Sequence, residues 1–216
     1  MKEFVLNIYK VLLKIFGHQK WWPGDTRLEI IIGAILTQNT NWTNAEKAIK
    51  NLKKNGLLKL SQLRTAETSL IKNCIKPSGY YNQKTKKILN FLEFFEHNYN
   101  NSFSLMKKQN TGELREKLLK INGIGPETAD SILLYALNKK IFVIDAYTKR
   151  ILSRHGLIRN DAGYCETQSF ITDNFLCGIK EYNEFHALLV KLGKDFCKKT
   201  NPLCKICPLC KIYKLI

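Results

Sequence analysis

Acidic residues are scarce in this sequence. Asp and Glu number 18 against 35 Lys and Arg, which leaves a net charge of +17, and no terminal tail holds the excess. A surplus of this size favours a polyanionic partner such as DNA or RNA, although an anionic lipid surface would attract it too. The chain is not a disordered tail, because 216 residues with 44% hydrophobic content can bury the core of one or two domains.

Long apolar runs are also missing. No stretch reaches the roughly 18 uninterrupted apolar residues of a membrane-spanning helix. Residues 1–16 come nearest, but Glu3, Asn7, Lys10 and Lys14 interrupt them and no small-residue cleavage site follows. We therefore expect an amphipathic helix that stays in the mature protein, no membrane partner and a cytoplasmic location.

Strand-like alternation of apolar and polar residues is rare. The run IFVI at 141–144 is the best candidate for a strand, whereas apolar residues recur at helical spacing in 84–95 and 126–137. Thr43-x-x-Glu46 matches a capping box at the start of another helix. The apolar face predicted for that helix comprises Ala45, Ala48, Ile49 and Leu52. These patterns predict an all-α fold.

Four of the seven cysteines cluster near the C-terminus, in the pattern Cys197-x6-Cys204-x2-Cys207-x2-Cys210. In a reducing compartment such a group typically holds metal rather than disulfides. Four thiolates at this spacing fit a [4Fe-4S] cluster, with zinc as the chemical alternative. The scattered cysteines are interpreted as small buried hydrophobic residues; they are Cys74, Cys165 and Cys177.

The stretch INGIGPETAD at 121–130 predicts two helices joined by a tight hairpin at 122–125. Pro126 suits the first position of the second helix, because a backbone N–H would be unpaired there. Gly123 and Gly125 let the backbone approach a ligand, and free N–H groups at a helix start attract phosphate. An ordinary turn between helices is the alternative.

Several motifs in order resemble the helix-hairpin-helix DNA glycosylases of the endonuclease III superfamily. They are WWPGDTRLEIIIGAILTQNTNW at 21–42, SGYYNQK at 78–84, the hairpin, IFVIDAYTKR at 141–150 and the C-terminal cysteines. The resemblance implies a base-excision repair enzyme that acts as a monomer on double-stranded DNA containing a damaged base, associated with the nucleoid.

The implied architecture is two-lobed and all-α, with a C-terminal iron-sulfur loop. A central domain of 19–138 would carry the helix-hairpin-helix at about 111–137, and 1–18 plus 139–216 would form the second lobe with the cluster loop at 197–210. The family spacing places the fourth cysteine ligand where this sequence has Tyr213, three residues after Cys210. We expect Cys210 to serve in a tightened loop.

The resemblance makes Asp145 the catalytic aspartate. A fixed carboxylate can stabilise positive charge on the sugar or activate water, and Asp145 is also a suitable N-cap for a helix at 146–154. An N-cap would favour stabilisation of the cation over strong proton abstraction. Glu127 stands where endonuclease III has a lysine that forms a Schiff base, and glutamate cannot form one. Alternatively, Glu127 is a solvated acid in the first turn of its helix.

Glutamate at this place, with the WWP and LTQNT motifs, looks most like the bacterial endonuclease III-type 3-methyladenine DNA glycosylases. By that analogy Trp22 and Trp42 sandwich a flipped base, although core packing explains either tryptophan alone. Gln38 would enter the DNA helix and Tyr80 would be the wedge that unstacks bases. Lys84 would contact phosphate, unless it lies on a solvated helix face.

The predicted function is therefore hydrolysis of the N-glycosidic bond of a damaged base, above all an alkylated purine such as 3-methyladenine, without lyase activity. Three alternatives remain at this point. They are an endonuclease III-like glycosylase and lyase for oxidised pyrimidines, a thymine or uracil mismatch glycosylase, and a DNA-binding module without enzymatic activity.

Overall fold

The regular structure of the protein is helical. The computed structural model describes the backbone of residues 1–212 and the side chains of residues 1–210, and within that part of the chain no strand occurs. In chain order the α-helices are α1 (Lys2–Phe16), α2 (Arg27–Leu36), α3 (Trp42–Lys54), α4 (Leu60–Thr65), α5 (Thr68–Ile75), α6 (Tyr81–Tyr99), α7 (Phe103–Lys108), α8 (Thr111–Leu119), α9 (Pro126–Ser131), α10 (Ala146–Arg154), α11 (Tyr164–Asn174), α12 (Ile179–Asp195) and α13 (Pro208–Ile212). Short 3-10 turns lie at Lys76–Ser78 and Cys204–Ile206, and a π-helical turn at Ile132–Ala136. None of the helices in this part of the chain is long and apolar enough to cross a membrane.

The chain divides into two compact units, one made of Trp22–Lys139 and the other of Met1–Trp21 with the chain from Lys140 onward. In the first unit, α2 is buried along almost its whole length and packs against α3, α6, α9 and the π-helical turn. Its Ile31, Ile32 and Ile35 are fully buried, and each contributes about 1.5–3 kcal/mol by leaving water.

The other unit is built around an aromatic core. Phe175 lies with its ring centroid 4.7 Å from Phe185 and 5.1 Å from Tyr9, and Phe142 lies 5.8 Å from Phe185. Helix α12 comes unusually close to α10 at Gly193, where an added Cβ would lie 2.6 Å from Cδ1 of Tyr147. The absence of a side chain at Gly193 therefore sets the spacing of α10 and α12.

The start of α3 differs from the prediction. Its N-cap is Asn41, whose Oδ1 accepts a hydrogen bond from the Asn44 backbone N–H at 2.9 Å, and Thr43 already lies inside the helix. Asparagine caps helices as well as threonine does, so the earlier residue starts the helix. The predicted apolar face is correct, because all four of its residues are buried; they are Ala45, Ala48, Ile49 and Leu52.

The run at 141–144, which was the best candidate for a strand, does not form one. These residues have no regular secondary structure, although Phe142, Val143 and Ile144 are buried. Side chains of α11 pair their backbone instead: the Gln168 amide donates to the Phe142 carbonyl at 2.6 Å, and the Ile144 N–H donates to the Tyr164 hydroxyl at 3.2 Å. The apolar run is a buried connector that leads into α10.

Candidate active site

Asp145 ends the buried connector and caps α10. Its Oδ1 accepts a hydrogen bond from the Thr148 backbone N–H at 2.7 Å, and the side chain is 11% exposed. The positive end of the helix dipole favours a negative charge at this place. The structure thus holds one carboxylate oxygen by the helix start and leaves the other, Oδ2, for a second partner.

That second oxygen faces a buried histidine. Nε2 of His186 on α12 lies 3.7 Å from Oδ2 of Asp145, and the His186 side chain is 5% exposed. Burial lowers the pKa of His186, while the negative charge of Asp145 acts in the opposite direction. At neutral pH an uncharged imidazole therefore borders the carboxylate, so the charge of Asp145 is not cancelled by this neighbour.

The predicted hairpin is present between α8 and α9. Gly123 has a φ of +92°, a conformation that favours glycine, and the Ile124 N–H donates to the Ile121 carbonyl at 3.0 Å to close the turn. Arg115 on α8 and Asp130 on α9 form a two-point ion pair, with Nε–Oδ1 at 2.6 Å and a second nitrogen to Oδ2 at 3.1 Å. Since Asp130 is fully buried, loss of Arg115 would destabilise the hairpin by roughly 3–5 kcal/mol.

Gln38 and Lys87 lie against the hairpin. The Gln38 amide donates to the Gly123 carbonyl at 3.1 Å and to Oγ1 of Thr128 at 2.9 Å, and the Lys87 ammonium donates to Oε1 of Gln38. An added Cβ at Gly123 would lie 2.5 Å from Cγ of Lys87. In this structure the group that lies close to Gly123 is thus the aliphatic part of the Lys87 side chain. The turn therefore also serves packing.

Glu127 lies in the first turn of α9 and is exposed. Its carbonyl accepts a hydrogen bond from the Ser131 hydroxyl at 2.7 Å, so the backbone at this position is held inside the helix. The first turn of α9 therefore presents an exposed carboxylate, and not an amine, at this position.

The tryptophans form an aromatic group rather than a ready slot. The Trp22 and Trp42 rings meet edge to face at 88°, with centroids 5.4 Å apart, and Tyr135 lies on another side of Trp22, also at 5.4 Å. Gly33 of α2 admits the Trp22 indole, because an added Cβ would lie 3.1 Å from Nε1. A base can stack between the two tryptophans only after one ring turns away.

Tyr80 and Lys84 behave very differently at the start of α6. Tyr80 is 65% exposed, as a wedge residue must be. The prediction that Lys84 contacts phosphate is wrong: the side chain is 1% exposed, and its ammonium donates to the carbonyls of Leu36 and Ser78 at 2.8 and 2.7 Å. Helical spacing turns Lys84 toward the interior, together with the buried Thr85 and Ile88.

The C-terminal cysteines are partly gathered. Burial, followed by the neighbouring Cys207 and Cys204 thiols, raises the pKa of Cys210 to about 12. Sγ of Cys197 lies 3.5 Å from a guanidinium nitrogen of Arg154. Tyr213, which stands at the family position of the fourth ligand, lies outside the described residues.

These contacts do not amount to a finished metal site. Among residues 1–210, no group of three or more His, Cys, Asp or Glu side chains is arranged so that it could hold a metal ion. Metal binding and the folding of such a loop are coupled, so the thiols of the loop come together fully only when metal binds. Three adjoining thiols with a fourth buried nearby in sequence are a donor set whose chemistry fits an iron-sulfur cluster.

Comparison with known proteins assigns this arrangement to a class. A helix-hairpin-helix followed by a helix-capping aspartate is what the fold presents, and residues 32–175 match the family described as HhH-GPD superfamily base excision DNA repair protein. The chain belongs to this family. Accordingly, it is a DNA repair glycosylase of the endonuclease III superfamily.

Individual relatives span most of the chain. A Methanocaldococcus jannaschii protein, provisionally named a DNA repair glycosylase, is 47% identical over 96% of this chain and 94% of its own. Endonuclease III of Sulfolobus acidocaldarius is 29% identical over 88% and 85%. The solved structure of the H. pylori 3-methyladenine DNA glycosylase bound to 1,N6-ethenoadenine has 30% identity and a TM-score of 0.77, covering 88% of this chain and 97% of that one.

Sequence reasoning missed His186 and Tyr135. His186 stands alone in the apolar face of EFHALLVKLG, where a core histidine and a histidine near a catalytic group look the same. Tyr135 contacts Trp22 from within the π-helical turn. The sequence at 126–137 reads as one regular helix, so no signal marked that turn.

Proposed function

We propose that this glycosylase hydrolyses the N-glycosidic bond of an alkylated purine in double-stranded DNA and leaves the sugar-phosphate backbone intact. The observation that carries the proposal is the exposed Glu127 in the first turn of α9, because a lyase needs an amine at that place. The carboxylate of Asp145, which caps α10, supports a hydrolytic mechanism.

In the proposed reaction, the bond between C1′ of the deoxyribose and the base nitrogen breaks, and its electron pair leaves with the base. Asp145 stabilises the positive charge that develops on the sugar. Water then adds to C1′ and loses a proton, so that the products are the free base and an abasic site. No covalent bond to the protein forms at any step.

Aromatic residues support a cationic substrate. Alkylation at a ring nitrogen gives a purine a positive charge, and the faces of Trp22 and Trp42 attract such a ring through cation–π interaction. The H. pylori relative, a 3-methyladenine DNA glycosylase bound to 1,N6-ethenoadenine, supports a modified adenine as the substrate. The perpendicular rings described above would part to admit the base.

The DNA contacts are proposed from exposure and charge. Tyr80 is exposed enough to enter the base stack, Gln38 would leave the hairpin to fill the gap, and the backbone at Gly123 and Gly125 would meet a phosphate. The net charge of +17 favours binding to DNA phosphates, and the protein is proposed to act on DNA as a monomer in the cytoplasm or nucleoid.

The cysteine loop is proposed to bind a [4Fe-4S] cluster through Cys197, Cys204, Cys207 and Cys210. A bound cluster would supply structural rigidity to the loop rather than glycosylase chemistry. Arg154 already fixes one end of this loop, because its guanidinium donates to the carbonyls of Lys198 and Lys199 at 2.6 and 2.9 Å.

The proposal is tested with duplexes that each carry one lesion: 3-methyladenine, 1,N6-ethenoadenine, an oxidised pyrimidine, or thymine or uracil opposite guanine. Base release is measured separately from strand cleavage. Release of the alkylated adenines above all others supports the proposal. Preferential release of the oxidised pyrimidine, or of the mismatched thymine, would assign the chain to another branch of its superfamily.

A further inference from the structure

Lys84 lies in the first turn of α6, and its side chain is almost completely buried. Its ammonium donates to the Leu36 carbonyl at 2.8 Å, the Ser78 carbonyl at 2.7 Å and Oγ1 of Thr40 at 3.3 Å. These bonds use all three of its donors. The ammonium is therefore fully paired inside the protein. Any role of Lys84 must act through the parts of the chain that carry these three acceptors.

The acceptors lie in or next to two separate loops. Leu36 is the last residue of α2 and precedes Gln38 by two positions, while Ser78 precedes Tyr80 by two positions. Thr40 adds a direct link between the loops, because its hydroxyl donates to the Ser78 carbonyl. Lys84 and Thr40 thus tie together the two loops that carry Gln38 and Tyr80.

Both loops contain backbone strain next to these residues. Asn39 has a φ of +51° and Tyr80 a φ of +46°, in the left-handed region that residues other than glycine rarely adopt. Such conformations persist where surrounding contacts hold them. The Lys84 and Thr40 bonds lie close in sequence to each strained position and provide those contacts.

We propose that Lys84 is a positioning residue for DNA distortion: it fixes the Tyr80 and Gln38 loops in one arrangement, so that both side chains meet the duplex together. This inference rests on the proposed function, since it takes Tyr80 as the wedge. Lys84 itself touches no DNA in this account.

The charge state fits this role. Burial, with a smaller effect of Lys87, lowers the pKa of Lys84 to about 8, so the group is mainly an ammonium at neutral pH. The Leu36 carbonyl is one of the groups left unpaired at the C-terminal end of α2, where the helix dipole favours a cation. Methionine has a similar length but offers none of these bonds, which makes Lys84→Met the informative substitution.

The experiment is a double-mutant cycle between Lys84 and Tyr80. Single-turnover base release is measured for the wild type, Lys84→Met, Tyr80→Ala and the double variant. We expect Lys84→Met to slow release about tenfold or more when Tyr80 is present, and by no more than about twofold when Tyr80 is already alanine. A merely structural role would slow both backgrounds equally, and that result would overturn the proposal.

A control variant and a folding measurement accompany the cycle. Lys86→Met, which removes an exposed charge from the same helix, should change release by no more than about twofold. Thermal unfolding shows whether Lys84→Met folds; if it does not, Thr40→Val takes its place in the cycle, because it removes the direct link and keeps the Lys84 bonds to the Leu36 and Ser78 carbonyls. The same coupling to Tyr80 is then expected, and equal loss in both backgrounds again rejects the inference.

Fluorescence of 2-aminopurine beside an abasic site reports base unstacking without any chemistry. Binding of the wild type should raise it, and Lys84→Met should abolish the rise as Tyr80→Ala does, while Lys86→Met retains it. An unchanged rise with Lys84→Met contradicts the positioning role. If the wild type releases no base at all, the proposed function fails, and this binding measurement still decides the inference about Lys84.

Discussion

Oδ2 of Asp145 lies 3.7 Å from Nε2 of His186, and both side chains are almost completely buried. The other carboxylate oxygen accepts the N–H of Thr148 at the start of α10. One oxygen is thus held by a helix start, while the other faces a buried ring on α12. The helix start therefore fixes the orientation of the carboxylate.

Replacement of Asp145 separates its two roles. An asparagine side chain caps helices as well as aspartate does, so Asp145→Asn should change the free energy of unfolding by less than about 1 kcal/mol. Base release should fall about a hundredfold or more, because the negative charge that stabilises the sugar cation is gone. Denaturant unfolding and single-turnover release are measured together. Asp161→Asn, which removes an exposed acid, is the control, and retained activity in Asp145→Asn would remove Asp145 from the mechanism.

His186 makes stability depend on pH. Its pKa is lowered below the ordinary 6.5, so below that pH the unfolded chain takes up a proton that the folded protein does not. The contribution to stability is complete above about pH 6.5 and is lost as the pH falls from there toward the lowered pKa.

The corresponding measurement compares the melting temperatures of the wild type and His186→Gln between about pH 5 and 8. The gap between them should be largest at about pH 7–8 and narrow as the pH falls. His97→Gln, a change at an exposed histidine, should show a gap that does not vary in this way. A gap for His186→Gln that widens in acid would mean that the folded protein favours the charged imidazole.

Trp22 should discriminate between charged and neutral lesions. Trp22→Ala removes a ring face whose attraction for a cation is worth about 0.5–2 kcal/mol, so release of a cationic base should fall between about twofold and thirtyfold more than release of a neutral one. Paired single-turnover rates on 3-methyladenine and 1,N6-ethenoadenine duplexes measure this ratio. Equal losses on both lesions would restrict Trp22 to packing.

The cysteine loop predicts iron and a specific ligand. The purified wild type should contain about four iron atoms per chain, and Cys210→Ala should lower the iron content sharply. Cys165→Ala should not, because Cys165 lies outside the cluster; contrary to the interpretation of the scattered cysteines as buried, it is exposed. Elemental analysis decides the matter. One zinc per chain would replace the cluster with the alternative metal, and full iron in Cys210→Ala would exclude Cys210 as a ligand.

The contrast between Asp145 and Lys84 shows what a sequence can predict. Asp145 was predicted as a helix cap, because capping depends on neighbours along the chain, and the structure confirms the cap. Lys84 sits in a lysine-rich stretch whose charge suggests solvent, and only tertiary packing shows that its ammonium binds two loops. The same reason applies to the IFVI run at 141–144. Its apolar composition indicated burial, but the sequence did not show which side chains would pair with its backbone.

Helix edges and ring orientations mark a second limit. Two possible caps, Asn41 and Thr43, lie two residues apart, and the sequence does not show which one the packed helix uses. Likewise, WWP and LTQNT predict aromatic residues near a base, whereas the perpendicular arrangement of Trp22 and Trp42 depends on Gly33 and Tyr135 from distant parts of the unit.

We expect base release to occur without a covalent protein–DNA intermediate. The most direct measurement is borohydride trapping on a duplex from which the wild type demonstrably releases the base, with Glu127→Lys assayed alongside. The wild type should yield no trapped complex, and any complex gained by Glu127→Lys would show that an amine at this position reaches the sugar. A borohydride-trapped complex with the wild-type chain would show that a covalent intermediate forms and would overturn the proposed hydrolysis.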